Sequence, residues 1–285
     1  MTTNNIYNNQ LIIHNKNQNK MKKLSIFAVA LAALAFTACG GNKSAKTEDA
    51  DSVKTFEQEQ VEAKIKMELD SLAAELGKLK DLPIVKEDGG VKLTDQEKQV
   101  KPDYLLSAAV AENAATLAEK YRMISALSVD KTIAALYEMP TDEYQAAVAK
   151  LIADVDDPSF KDINDTASIF KTGQELYTAM EQNGRINNYW QMVAASLVEE
   201  IFAMSQNSDK FLKAFDDDAA ANVTYRIVLL SDAVSRLTEY DPEFEPIAKA
   251  IEALTPLNAV SVDQLKTQLA EAKDKIVEAR NNLIK

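Results

Sequence analysis

Cysteine and histidine, which supply thiolate nucleophiles, general bases and many metal ligands, occur once each, as Cys39 and His14. The residues before Cys39 follow a fixed order. Lys22 and Lys23 come directly after Met21, an apolar run extends over residues 24–36, and small residues precede the cysteine. This order is typical of a secretion signal with its basic, hydrophobic and cleavage regions. The apolar run is shorter than the ~20 residues that a membrane span needs.

The four residues that end at the cysteine, Phe36-Thr37-Ala38-Cys39, resemble the lipobox of bacterial lipoprotein precursors. That resemblance implies cleavage before Cys39 and attachment of a diacylglyceryl group to its sulfur, usually with a further acyl chain on the new amino terminus. Two or more buried chains anchor a protein stably in a bilayer. We therefore predict Cys39 as the lipidation site. The alternative is an uncleaved hydrophobic anchor with an accidental cysteine.

The chain is predicted to divide into four segments. Residues 1–20 hold seven asparagines and no hydrophobic periodicity, so Met21 is the expected true start and 1–20 an upstream extension. Residues 21–38 are the predicted signal peptide, and 39–52 a lipidated flexible linker. The polar part of that linker has thirteen residues, which by random-coil scaling span about 20 Å. Residues 53–285 are expected to form a single domain close to the membrane.

Cleavage before Cys39 would change the composition of the working protein. It removes four lysines, no acidic residue and the sole histidine, leaving 28 basic against 44 acidic residues and a net charge of −16. Such a chain repels nucleic acid, which we exclude as a partner. Without histidine or a free thiol it lacks serine–histidine and cysteine–histidine chemistry and zinc sites with those ligands. We predict no enzymatic activity and no cofactor.

Carboxylates remain as candidate site residues, and the densest run lies in a predicted loop. Oxygen ligands at alternating positions would suit calcium, but the central glycine and final glutamate of an EF-hand are missing. A solvated loop whose acidic residues cap flanking helices is the favoured interpretation. The same interpretation applies to the acidic triplet that precedes a later helix. The loop residues are Asp154, Asp156, Asp157, Asp162, Asn164 and Asp165, and the triplet is Asp216, Asp217 and Asp218.

Two adjacent glutamates interrupt one apolar helix. At 100° per residue Glu199 points away from the apolar stripe, while Glu200 flanks it. Arg226 flanks the stripe of a later helix, so we predict a structural Glu200–Arg226 ion pair. Tyr189 and Trp190 begin the first of these helices and could line a ligand pocket. The favoured interpretation of the lone tryptophan is a core residue.

These residues are expected to sit on helices, because the segment after residue 52 has few glycines and repeated three-four apolar spacing. We predict an all-α fold, an irregular bundle of about eight to ten helices with long terminal helices packed on each other or on a common body. The first terminal helix should span about 53–80. The last should run from a Ser261/Gln264 capping box along an unbroken heptad stripe to Leu283. Other predicted helices cover about 102–127, 130–138, 141–156, 166–181, 185–206 and 219–240, with short ones at Thr94 and Ser208.

The leading hypothesis is a membrane-anchored envelope lipoprotein that acts as a non-enzymatic interaction or scaffold domain. Its partner would be another envelope protein or an extracellular ligand. The alternative is a carrier that binds a small molecule or calcium. Gly40 follows the cysteine where an aspartate resembles an inner-membrane retention signal, so the outer membrane is favoured, with its periplasmic or outer face left open.

Overall fold

An all-α architecture follows from the composition of the chain, since alanine, leucine, lysine and glutamate favour helices. The computed structural model describes residues 56–86, 90–161 and 173–284. These residues contain eleven α-helices and no strand, which confirms the predicted fold class. The helices are α1 (Phe56–Gly77), α2 (Asp95–Gln99), α3 (Leu117–Leu136), α4 (Asp142–Val155), α5 (Gly173–Gln182), α6 (Ile186–Gln206), α7 (Ser208–Phe211), α8 (Asp217–Leu237), α9 (Glu245–Leu254), α10 (Val262–Glu271) and α11 (Lys273–Leu283).

Helix α6 is the centre of the bundle. Fifteen of its 21 residues are buried, and it packs against α3, α5, α8, α9, α10 and α11. A helix that is apolar around its whole circumference has to lie inside a protein. In this helix the only charged residues are Glu199 and Glu200, so both are carried into the core.

The terminal helices pack on a common body, as predicted. Helix α1 contacts α5 and α8, while α11 contacts α6 and α9. The expected unbroken final helix is wrong, because Ala272 leaves helical geometry (φ −93°, ψ 7°) and separates α10 from α11. The apolar stripe nevertheless stays buried on both sides of the break. The break lets α10 pack on α8 while α11 packs on α9.

The helix predicted to start at Pro102 is also wrong. Residues 102–107 are irregular, a 3-10 helix covers Ala108–Asn113, and α3 then runs without interruption through residues 127–130. A capping box sets its start: the Thr116 side chain accepts from the Glu119 backbone N–H, and the Glu119 carboxylate accepts from the Thr116 N–H. This box outweighs the proline signal because it satisfies two otherwise free backbone donors.

Several predicted ends of helices are confirmed. Asp216 accepts a hydrogen bond from the Ala219 N–H, with two further aspartates in the first turn of α8. Helix α4 ends at Val155, and the C-cap residue Asp156 adopts the left-handed backbone (φ 46°) that aspartate tolerates better than most residues. Ser261 caps α10, but the Gln264 side chain bonds the N–H of Val260 rather than that of Ser261. None of the helices described is both long and apolar enough to cross a membrane.

Candidate binding pocket

A pocket of about 290 Å³ opens between α1, α3, α5, α6 and α8. Its volume is about twice the ~150 Å³ of an engineered cavity that binds benzene, and it lies near the lower end of typical ligand pockets. Most of its walls are aliphatic or aromatic, with a few polar groups among them. The lining residues are Leu76, Gly77, Leu79, Lys80, Asp81, Leu82, Val85, Ser125, Leu176, Tyr189, Met192, Val193, Ser196, Leu197, Glu200 and Arg226.

The pocket has an exposed mouth and a buried floor. Gly77 and Lys80, at and just after the end of α1, are exposed and mark the mouth. Ser125 and Glu200 lie deep, with only 1% and 2% of their surfaces accessible. A ligand would therefore enter past the end of α1 and reach its polar contacts at the centre of the bundle.

Glu200 is the most unusual residue of the pocket. One carboxylate oxygen, Oε1, accepts a 2.7 Å hydrogen bond from the Ser196 hydroxyl one turn earlier on α6. The other oxygen, Oε2, is buried and has no hydrogen-bond partner among the described residues. Burial raises the pKa of Glu200 to about 6, against the attraction of Arg226 and the Ser196 bond. A buried acceptor without a donor lowers the stability of the folded protein.

The Ser125 hydroxyl, on α3, lines the same pocket and also lacks a hydrogen-bond partner in the described part of the chain. Buried polar atoms are normally satisfied, and these two belong to residues that line one cavity. Water or a ligand would supply the missing bonds.

Arg226 does not form the predicted ion pair with Glu200. Its Nε donates to the side chain of Asn222 and one Nη donates to the backbone oxygen of Lys80. Asn222 donates to the same oxygen. Arg226 and Glu200 nevertheless both line the pocket. Arg226 instead holds the chain after α1 in place at the pocket mouth.

The prediction that Glu199, the neighbour of Glu200, points away from the packed face of the helix is wrong. It is fully buried and accepts bonds of 2.6–3.0 Å from the guanidinium of Arg280 on α11. Asp130 on α3 lies 3.7 Å from the same guanidinium and accepts from the Leu106 N–H. Burial, followed by the charge of Glu199, raises the pKa of Asp130 well above its ordinary value.

Sequence reasoning missed Asp130, Arg280 and Ser125. The signal for Arg280 was present, because an apolar helix with only two adjacent acids buries them, and a buried acid calls for a cation from another helix. Asp130 carried no such signal. The cation's identity depends on how α11 packs, and no local pattern gives that. Ser125 carried no signal at all.

The aromatic pair at the start of α6 takes two different positions. Trp190 is fully buried in the core, as the favoured interpretation predicted, and packs edge-on against Tyr177 and Tyr189. Tyr189 lines the pocket. The pair therefore joins the pocket wall to the core, which fixes the position of that wall.

The acidic loop shows capping within its described portion. Buried Asp157 accepts bonds from the Tyr121 hydroxyl (2.6 Å) and the Ser159 N–H (2.8 Å), and it caps a 3-10 helix at Pro158–Phe160. Asp162, Asn164 and Asp165 lie outside the described residues, as does Cys39. Across the described ranges, no three acidic, histidine or cysteine side chains form a group that could hold a metal ion.

Comparisons of the chain with protein-family models, with curated proteins and with solved structures each find no match.

Proposed function

We propose that this chain is a lipid-anchored binding protein of the bacterial cell envelope that takes up a small molecule in the Glu200 pocket and catalyses no reaction. The observation that carries the proposal is that Glu200 and Ser125, which line one pocket, each have a buried side-chain oxygen (Oε2 and Oγ) without a hydrogen-bond partner among the described residues. Pockets with apolar walls and a few fixed polar groups are typical ligand sites. The pocket supports the carrier hypothesis, and both it and the scaffold hypothesis remain predictions.

Binding rather than catalysis is supported by the chemistry of the pocket. A histidine base and a cysteine nucleophile are both missing from the residues that line it. The Ser196 hydroxyl donates to Glu200 within one helix turn, which orients the carboxylate. We therefore expect the ligand to leave the pocket unchanged.

A ligand screen on the lipidated mature protein in detergent tests the pocket. We expect compounds from a metabolite panel to raise its melting temperature, and replacing the half-buried pocket residue Val193 with tryptophan to abolish those shifts. Val277→Trp is the matched control, since Val277 is also half-buried but lies on α11, outside the pocket. Equal shifts in Val193→Trp and wild type, or no shift with any compound, would contradict the proposal.

Anchoring is tested by replacing Cys39 with serine, which removes the sulfur that the lipobox resemblance assigns to lipid. We expect wild-type protein in the membrane fraction and the variant as an unprocessed precursor without lipid, because a hydroxyl does not replace the thiol in that modification. Mass spectrometry of the amino-terminal peptide checks both outcomes. An unmodified Cys39 in membrane-bound wild-type protein would instead support an uncleaved anchor. Outer-membrane location, proposed from Gly40, is checked by fractionating the two membranes.

A further inference from the structure

Resting on the proposed function, we infer that the pocket binds a small organic cation, a protonated amine with an apolar body, whose ammonium group donates to Glu200. The two neighbouring glutamates of α6 differ in their hydrogen-bond donors, and this difference supports the assignment. Glu199 receives both of its donors from Arg280 within the protein. Glu200 is almost as fully buried and lines the pocket, but its Oε2 has no donor among the described residues.

The missing partner of Glu200 has to be a donor, because an ionised carboxylate only accepts hydrogen bonds. Arg226, Lys80 and Asp81 are the other charged groups that line the pocket. The attraction of Arg226 and the hydroxyl of Ser196 both favour the ionised form of Glu200 against burial. Charge-assisted bonds from an ammonium to a carboxylate are stronger than those from a neutral donor.

A metal ion fits this pocket poorly. Calcium takes six to eight oxygen ligands, while the pocket floor offers one free carboxylate oxygen and the Ser125 hydroxyl. An ammonium group needs only two or three acceptors. The deep polar contacts thus suit an amine better than a divalent cation.

The walls specify the rest of the ligand. Leu76, Leu82, Met192 and Leu197 are buried aliphatic side chains around the polar floor. They favour an apolar body, since moving apolar surface out of water into an apolar site is favourable. With a volume of about 290 Å³, the pocket suits an amine that carries a single ring or a short branched chain.

Calorimetric titration of the lipidated mature protein with three probes of similar shape tests the inference. The probes are 2-phenylethylamine, 2-phenylethanol and 3-phenylpropionate, at pH 7.5. We expect the amine to bind at least about tenfold more tightly than the alcohol, and the carboxylate to bind most weakly, because charge-assisted bonds contribute more than neutral ones. Glu200→Gln keeps the side-chain shape and is expected to reduce the preference to about twofold or less.

The pH dependence gives a second readout. Because the pKa of Glu200 is about 6, the carboxylate takes up a proton as the pH falls from 7.5 to 5. We expect amine binding to weaken several-fold over this range and alcohol binding to stay constant. Glu252→Gln is the control, because Glu252 is an exposed acid on α9 outside the pocket lining, and it should keep the preference for the amine.

Three outcomes would overturn the inference. Equal binding of amine and alcohol would show that the pocket has no preference for a charged ligand. Tightest binding of 3-phenylpropionate would show that the pocket recognises its ligand through Arg226. Failure of all three probes to bind would exclude this ligand class. In each case the metabolite screen with Val193→Trp decides separately whether the pocket binds anything, so the proposed function can stand when the inference fails.

Discussion

Replacing Arg280 with methionine is expected to lower the free energy of unfolding by about 3–5 kcal/mol, the usual effect of removing one partner from a buried ion pair. Arg280 is the cation that compensates Glu199 and Asp130, both fully buried. Its guanidinium also stacks 4.0 Å from the ring centre of Phe202. Methionine fills a similar volume, so the loss would come from charge rather than from a cavity. Urea unfolding at pH 7 measures it.

The control for this variant is Arg236→Met. Arg236 bonds Glu68 at 2.6 Å, but both side chains are about one-third exposed, so we expect a loss of about 1 kcal/mol or less. Adding Glu199→Gln to Arg280→Met should recover part of the stability, since it removes the stranded charge. A loss below about 1 kcal/mol for Arg280→Met would contradict the assigned role.

The pH dependence of the Arg280 variant has a definite sign. The charge of Arg280 lowers the pKa of Asp130, while burial and Glu199 raise it. Without Arg280 that pKa rises further above its unfolded value, so folding forces more proton uptake and the folded state loses stability as the pH rises. The difference in the free energy of unfolding between wild type and variant is therefore expected to become smaller as the pH falls from 7 towards 4. If that difference stays constant with pH, the variant loses stability through packing and not through charge.

Sequence reasoning located the helices better than it located the site. Capping residues such as Asp216 act within a few residues of the chain, so their local pattern was enough to place the start of α8. The Glu199–Arg280 pair joins residues 81 positions apart, and no local rule connects them. For Arg226 and Glu200, flanking positions on two helices indicated proximity. They did not reveal that a backbone oxygen, that of Lys80, would compete for the guanidinium.

Ser125 shows a further limit. A serine inside a helix usually bonds the carbonyl four residues earlier, as Ser128 does with Ile124. Ser125, three residues away on the same helix, lines the pocket, and its hydroxyl has no partner among the described residues. Only the packing of α3 against α6 and the space left beside α1 distinguish these two serines. The pocket is thus a product of the tertiary arrangement.

Replacing Glu200 with glutamine is expected to stabilise the empty protein at neutral pH. Burial raises the pKa of Glu200 from its ordinary 4.5 to about 6 in the folded state. A raised carboxyl pKa leaves stability intact below the unfolded value and reduces it as the pH rises through the folded value. The shift of about 1.5 corresponds to about 2 kcal/mol above pH 6. Urea unfolding of both proteins at pH 4 and pH 7.5 should show that advantage for Glu200→Gln only at the higher pH.

Glu252→Gln is the control for this effect, because Glu252 is exposed on α9 and its replacement should change stability by less than about 0.5 kcal/mol at both pH values. An advantage of Glu200→Gln that does not depend on pH would show that the Glu200 charge is not what destabilises the fold. A ligand that binds only the folded state adds stability in proportion to the logarithm of its concentration. Saturating amine at pH 7.5 is therefore expected to reverse the order and make wild type the more stable protein. That reversal would show that Glu200 binds the ligand. A carboxylate that is only poorly accommodated in the fold would lower the free energy of unfolding with or without the amine.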